Sequence, residues 1–142
     1  MNTKKFFIGT LAGGITFFLL GYLIYGNALA GFFSRHSAAA PGSMKQMSEI
    51  IWWALILGNL VSGALLSYIF LKLGNIGSFS SGAGTGAAIG LLVALSMDLI
   101  RYAVENSFDM TAMIVDVLVG IVMYAIAGGV IGALLGRGKT IK

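Results

Sequence analysis

Residues 50–71 read IIWWALILGNLVSGALLSYIFL and contain no acidic or basic side chain. A helix needs about 20 apolar residues to cross a hydrocarbon core of about 30 Å. The stretch has this length, and it lacks the alternation of apolar and polar residues that is typical of barrel strands. It therefore predicts a transmembrane helix.

Three other stretches have the same character, at about residues 6–26, 83–104 and 111–135. Of the 142 residues, 58% are hydrophobic and only 10% are charged, whereas about 25% of the residues of a soluble domain are charged. We therefore predict a single transmembrane domain over residues 1–142. Its fold class is all-α, an integral membrane four-helix bundle with short connections.

The first apolar run follows Lys4 and Lys5 and precedes the triplet Ala28-Leu29-Ala30. This order resembles a secretory signal peptide with its cleavage site, but the apolar core of a signal peptide has only about 7–15 residues. The run in this chain is longer, so we expect an uncleaved first span.

The basic residues indicate the orientation of the four spans. Lysine and arginine are enriched in cytoplasmic loops, and six of the nine fall on the side that carries both termini: Lys4, Lys5, Lys72, Arg137, Lys139 and Lys142. We therefore predict that both termini are cytoplasmic, in the inner (plasma) membrane. A basic rim next to anionic lipid headgroups is ordinary, so the lipid bilayer is an expected partner and nucleic acid is not.

All five acidic residues fall at the opposite side, and four of them, together with Arg101, form a candidate polar or ion site. Asp98, Arg101 and Glu105 are three and four residues apart and share one helix face; Asp109 and Asp116 are seven apart and share a face of the next helix. A short hairpin brings the two faces together. Asn59, within the second span, is a further polar candidate. We favour a structural ion network, and the alternative is a water-accessible site for a cation, a proton or a polar solute.

Small residues lie at the other side of the predicted bundle. Glycines recur every fourth residue in three rows, which places each row on one helix face where backbones approach closely. The helix-packing rows are Gly9 and Gly13; Gly82, Gly86 and Gly90; and Gly128, Gly132 and Gly136. We expect glycine-zipper contacts within the chain, and the alternative is contact between copies. The bundle should then be tight at this side and splayed at the acidic side.

The residues that most enzymes need are missing. The chain has no cysteine and one histidine, His36, which falls in a predicted loop. A metal site or haem within one chain is therefore not expected, and we predict no cofactor and no catalytic residues. Residues 82–90, GAGTGAAIG, do not predict a nucleotide site, since no strand precedes them and no Gly-Lys-Ser/Thr follows. An enzyme that uses only Asp98 and Asp116 is left open.

Residues 21–33 read GYLIYGNALAGFF. This motif, together with four short spans and a glycine-rich last span, resembles a family of small bacterial four-span membrane proteins that is known only as a domain of unknown function. In that family the first span ends in an aromatic–Tyr–small motif, which Tyr25-Gly26 fits, followed by a Phe-Gly pair, which Ala30-Gly31-Phe32 matches only approximately. The resemblance implies the four-span fold and a bacterial inner membrane, and no activity.

We therefore expect a small polytopic, non-enzymatic membrane protein. It would be a structural or accessory subunit, present as a homo-oligomer or within a larger membrane complex. The alternative is a small transporter or channel that uses the acidic cluster.

Overall fold

The computed structural model describes residues 2–36, 45 and 47–137. Four helical stretches are long and apolar enough to cross a membrane, as in a multi-pass membrane protein: Thr3–Ala28, Trp52–Leu73, Phe79–Val104 and Met110–Gly136. For the described residues, the predictions of an all-helical fold and of four helical stretches long and apolar enough to span a membrane are confirmed. The predicted bundle and the cytoplasmic position of the termini stay predictions.

Five α-helices make up the described part of the chain. They are α1 (Thr3–Leu23), which continues as a π-helical turn (Ile24–Ala28), then α2 (Ala30–His36), α3 (Trp52–Leu73), α4 (Phe79–Val104) and α5 (Met110–Gly136), with a 3-10 turn at Met47–Glu49. Helix α2 lies in a region that we predicted as a loop. Lys139 and Lys142, which entered the orientation argument, lie outside the described residues.

Local sequence sets the helix boundaries. Helix α4 begins at Phe79, earlier than the predicted residue 83, because Ser78 and Ser81 form a capping box in which each side chain accepts the backbone N–H of the other. Helix α3 ends where Gly74 adopts a left-handed φ of 72° and its N–H donates to Phe70 O over 3.1 Å. Asp109 caps the start of α5.

The four long helices form a row rather than an even square. Helix α4 packs mainly on α5, and α1 packs on both α3 and α5. Helices α3 and α5 also touch, but much less extensively. The order across the molecule is therefore α3, α1, α5, α4, with α3 and α4 on the outside.

Along the helix axes the molecule has two ends. We call them the termini end, which carries Lys5, Gly77 and Gly136, and the acidic end, which carries Asp98 and Asp116. At the termini end, Lys5 Nζ donates to Leu135 O over 2.8 Å, joining α1 to α5. The hydrophobic core lies in this half of the molecule: Phe17, Leu66, Phe70, Ile76, Ala127, Ile131 and Leu135. In the half toward the acidic end, α1 and α3 contain no buried residue. The buried residues of α1 and α3 therefore lie toward the termini end, as expected for a bundle that is splayed at the acidic end.

The glycine rows face one another inside the chain. A Cβ added at Gly132 would lie 2.9 Å from Gly82 Cα, and one at Gly128 would lie 3.0 Å from Gly86 Cα. Real Cβ atoms rarely approach other atoms this closely, so the backbones of α4 and α5 are nearly in contact here.

Helices α1 and α3 also approach each other closely at small residues. A Cβ at Gly13 would lie 3.0 Å from Gly63 Cα, and one at Gly9 would lie 2.5 Å from Ser67 Oγ. At the termini end, a Cβ at Gly136 would meet the backbone of Gly77. The predicted glycine positions thus lie at close contacts within a single copy, Gly136 against the segment before α4 and the others between helices.

Candidate functional site

The four-residue spacing of the glycine rows continues to the acids at the acidic end. On α4 the contact positions are Gly82, Gly86 and Gly90, followed one and two turns later by Ala94 and Asp98. Ala94 faces Gly120 of α5, and one turn further on, the carboxyl group of Asp98 faces that of Asp116. The spacing of four residues therefore places both carboxyl groups in the α4–α5 interface, at the point where small residues give way to acids.

Arg101 is the cation that these carboxyl groups share. Its Nη1 lies 3.8 Å from Asp98 Oδ1 and 4.0 Å from Asp116 Oδ2. Its Nε lies 3.5 Å from Glu105 Oε1. The guanidinium carbon also lies 4.1 Å from the ring centroid of the buried Phe108, a cation–π contact that fixes the side chain from the hairpin. The predicted grouping of Asp98, Arg101, Glu105 and Asp116 is therefore present in the structure.

Exposure decreases steadily from Glu105 into this cluster. The Glu105 side chain is 41% exposed, that of Asp116 is 19% exposed and that of Asp98 is 4% exposed. Asp98 is the one fully buried ionisable residue in the part of the chain that the structure describes. Its Oδ2 has no hydrogen-bond partner. A buried carboxylate without hydrogen bonds is costly, so this atom is the chemically unusual feature of the site.

Tyr25 completes the cluster from α1, and sequence reasoning missed it. Its hydroxyl donates to Asp116 Oδ1. Tyr25 lies in the π-helical turn at the end of α1, a type of turn that often occurs at functional sites. Asn27 supports the turn by donating from Nδ2 to Tyr22 O over 3.0 Å. In the sequence Tyr25 has the position of an ordinary interfacial tyrosine. The one signal for its contact with Asp116 was that both residues are expected at a similar depth in the membrane.

Asp109 belongs to a neighbouring contact rather than to the Arg101 cluster. Its Oδ1 accepts the N–H of Ala112 over 2.7 Å, and its Oδ2 lies 3.2 Å from His36 Nδ1. The ring of Phe32 stacks on His36 with centroids 4.5 Å apart. The N–H of Ala112 and, to a smaller extent, His36 hold the pKa of Asp109 below its ordinary value. The contact attaches α2 to the start of α5.

Asn59 lies away from the acidic cluster. Its Nδ2 donates to Leu55 O of its own helix over 2.8 Å. The residue lines an apolar groove of about 260 Å³ between α1 and α3, together with Gly14, Phe18 and Ile56. The structure therefore does not bring Asn59 together with the other candidate site residues.

Two further properties limit what the cluster can do. Among the described residues, no three His, Asp or Glu side chains converge as ligands for a metal ion. Toward the termini end, the α4–α5 interface next to Asp98 is filled by Ala94 and Gly120, and then by Gly90 and Tyr124. The polar cluster therefore opens at the acidic end and ends at Asp98 within one copy of the chain.

Comparison of the chain with known protein families, with curated proteins and with solved structures finds no match. The resemblance drawn from residues 21–33 stays a prediction, and the interpretation of the site depends on its own geometry.

Proposed function

We propose that the chain is a non-enzymatic, multi-pass membrane subunit that assembles with copies of itself or with a larger membrane complex. The observation that carries this proposal is the row of helices, in which α4 has α5 as its main neighbour. Large apolar side chains on α4 point outward, with Leu92 69% and Val104 75% exposed. The α4 side chains that point away from α5 are thus available to lipid or to another protein.

The closed interface next to Asp98 supports a subunit rather than a transporter that works as one copy. A transport path needs polar groups or water along its whole length, because an uncompensated charge in the hydrocarbon region is expensive. In the described part of a single chain, glycine and alanine contacts fill the space between Asp98 and the termini end.

Co-expression of two differently tagged versions tests self-assembly. Extraction in mild detergent and capture by one tag should recover the second tag in an approximately fixed ratio. Mixing the two versions after separate extraction is the control for association in detergent. If neither the second tag nor a stoichiometric partner is recovered, the proposal is wrong.

The proposal includes an orientation with both termini in the cytoplasm of a bacterial inner membrane. Lys4, Lys5, Lys72 and Arg137 lie at the termini end, and the acids lie at the other end, as the enrichment of cytoplasmic loops in basic residues requires. The chain has no cysteine, so Thr3→Cys and Asn106→Cys provide clean labelling sites. An impermeant thiol reagent applied to intact cells should label only the second.

A second candidate function is a small transporter or channel, favoured by the buried and unpartnered Asp98 Oδ2. Its path would have to be completed by a neighbouring copy or partner. Reconstituted vesicles should then show a proton or cation flux that Asp98→Asn abolishes and that Asp109→Asn, outside the Arg101 cluster, leaves largely intact. Equal flux with and without the protein would exclude this candidate.

A further inference from the structure

Asp98, the buried acid in the α4–α5 interface, has chemistry that assembly alone does not need. We propose that Asp98 and Asp116 form a binding site for one exchangeable proton, carried on Asp98 Oδ2 and shared with the Asp116 carboxylate. The site is not assigned on the strength of the acidic cluster alone. It also depends on the Asp98 side chain, which is only 4% exposed and whose Oδ2 lacks any hydrogen-bond partner.

The hydrogen bonds at the site identify which carboxyl group holds the proton. Tyr25 donates its hydroxyl hydrogen to Asp116 Oδ1, as expected of an ionised acceptor. No donor reaches Asp98 Oδ2, and Arg101 Nη1 stays 3.8 Å from Oδ1. A proton on Oδ2 turns Asp98 into a donor, and its partner is then the Asp116 carboxyl group that it faces. The shared proton gives the buried oxygen the hydrogen-bond partner that it lacks.

The charges around the site favour uptake of one proton. Asp98 is faced by Arg101 on its own helix, by Asp116 on α5 and by Tyr25 at the end of α1. Glu105 pairs with the other edge of Arg101. Three carboxylates and one guanidinium carry a formal charge of −2 when ionised, and one proton taken from water reduces it to −1. Two adjacent carboxylates in a site of low dielectric constant favour holding one proton between them.

A metal cation fits this site less well than a proton. Calcium takes 6–8 oxygen ligands and magnesium about six, whereas two carboxyl groups and one tyrosine hydroxyl converge here. The Arg101 guanidinium lies 3.8 Å from Asp98 Oδ1 and 4.0 Å from Asp116 Oδ2, and its positive charge would repel a metal ion bound between the two carboxyl groups. A proton needs only the two facing oxygens.

The exposure gradient gives the proton a route from one side of the membrane. The side chains of Glu105 and Arg101 are about two-fifths exposed, and that of Asp116 is less exposed than these two but more exposed than that of Asp98. Beyond Asp98, Ala94 against Gly120 ends the route within one chain. The site therefore exchanges protons with the acidic end and not with the termini end.

Infrared spectroscopy of the full-length protein in lipid tests the proposal directly. A protonated carboxyl group has a C=O stretching band that a carboxylate lacks. At neutral pH, where a solvated aspartate is ionised, the wild type should show one such band. Isotope-labelled aspartate should shift it, since labelling separates the aspartates from Glu49 and Glu105. Asp98→Asn, which keeps the shape of the side chain, should abolish the band.

Two variants make the assignment specific. Asp109→Asn is the matched control, and it should leave the band in place because Asp109 contacts Ala112 and His36 rather than the Arg101 cluster. Asp116→Asn should shift the band without removing it, because Asp98 would then donate to an amide oxygen. This variant also keeps the test valid if Asp98→Asn does not fold. The proposal is overturned if the wild type has no such band, if Asp109→Asn removes it, or if added sodium or potassium ions remove it.

Discussion

At the scale of single residues, the acidic end combines a strong contact with a weak one. Tyr25 gives Asp116 a hydrogen bond from across the molecule, whereas the nearest Arg101 nitrogen is 3.8 Å from Asp98 and 4.0 Å from Asp116, beyond ordinary hydrogen-bond length. Ion pairs of partly exposed side chains contribute about 0–1 kcal/mol. The tyrosine is therefore expected to contribute more to the position of Asp116 than the arginine does.

Tyr25→Phe should lower the stability of the protein measurably. It removes the hydroxyl that bonds Asp116 and leaves the ring in place, and hydrogen bonds to charged groups contribute about 1.5–3 kcal/mol. Thermal unfolding in detergent should show the loss. Tyr22→Phe is the matched control, one turn away and 55% exposed, and it should unfold like the wild type. Equal unfolding of the two variants would mean that the Tyr25 hydroxyl does not hold Asp116.

Asp109 should give the protein an acid-sensitive contribution to stability. Its pKa is lowered in the folded state, first by the Ala112 N–H and then by His36. A lowered pKa stabilises the fold above the unfolded-state value of about 3.9 and loses this contribution as pH falls through the folded-state value. Asp109→Asn can still cap α5 but cannot titrate.

The unfolding midpoint of Asp109→Asn should therefore depend less on pH than that of the wild type in the acid range. The two proteins should differ most at neutral pH and converge as Asp109 becomes protonated. Glu105→Gln, beside the same hairpin, controls for the general loss of a negative charge. A constant difference between wild type and Asp109→Asn at every pH would contradict the assignment.

At the scale of helices, the α4–α5 interface is built on backbone contact. Gly86 and Gly84 are neighbours on α4 with opposite surroundings. A Cβ at Gly86 would lie 3.2 Å from Gly128 Cα and still closer to Tyr124 O, whereas a Cβ at Gly84 would have nothing within 4 Å.

Gly86→Ala should therefore destabilise the protein, and Gly84→Ala should not. Forcing a methyl group into a filled interface costs about 1–3 kcal/mol, and the contacting atoms at Gly86 are backbone atoms that cannot rotate away. Unfolding in mixed detergents measures both variants under the same conditions. If both are as stable as the wild type, the two helices are not in close contact.

The helices and the glycine rows were predictable from sequence because they depend on local patterns. Apolar length predicts a span, and a repeat of four places glycines on one face. The rows 82-86-90 and 128-132-136 continue with the same four-residue spacing to Asp98 and Asp116. The pairing of these two acids could therefore also be predicted from the sequence.

Other parts of the site depend on information that a local pattern lacks. The face shared by Asp109 and Asp116 assumed that Asp109 lies inside a helix, but the helix begins at Met110 and Asp109 serves as its cap. Asn59 was a candidate by residue type, yet a mid-helix amide can bond its own backbone, as it does to Leu55 O. The π-helical turn that directs Tyr25 to Asp116 has no known local sequence signature.

At the scale of the whole molecule, the two ends have different roles. The termini end holds the hydrophobic core and the closest helix contacts. The acidic end holds the titratable groups and the short helix α2. A row with α3 and α4 on the outside has two long apolar flanks, and we propose that a partner or a second copy covers at least one of them.

Mass measurement of the particle released from native membranes in mild detergent tests this central claim most directly. The chain has a mass of 14.8 kDa, and lipid and detergent can be removed in the gas phase. The account predicts a dominant species at a multiple of this mass, or at this mass plus that of a fixed partner, which persists on dilution. A single dominant species of 14.8 kDa at every concentration would contradict it.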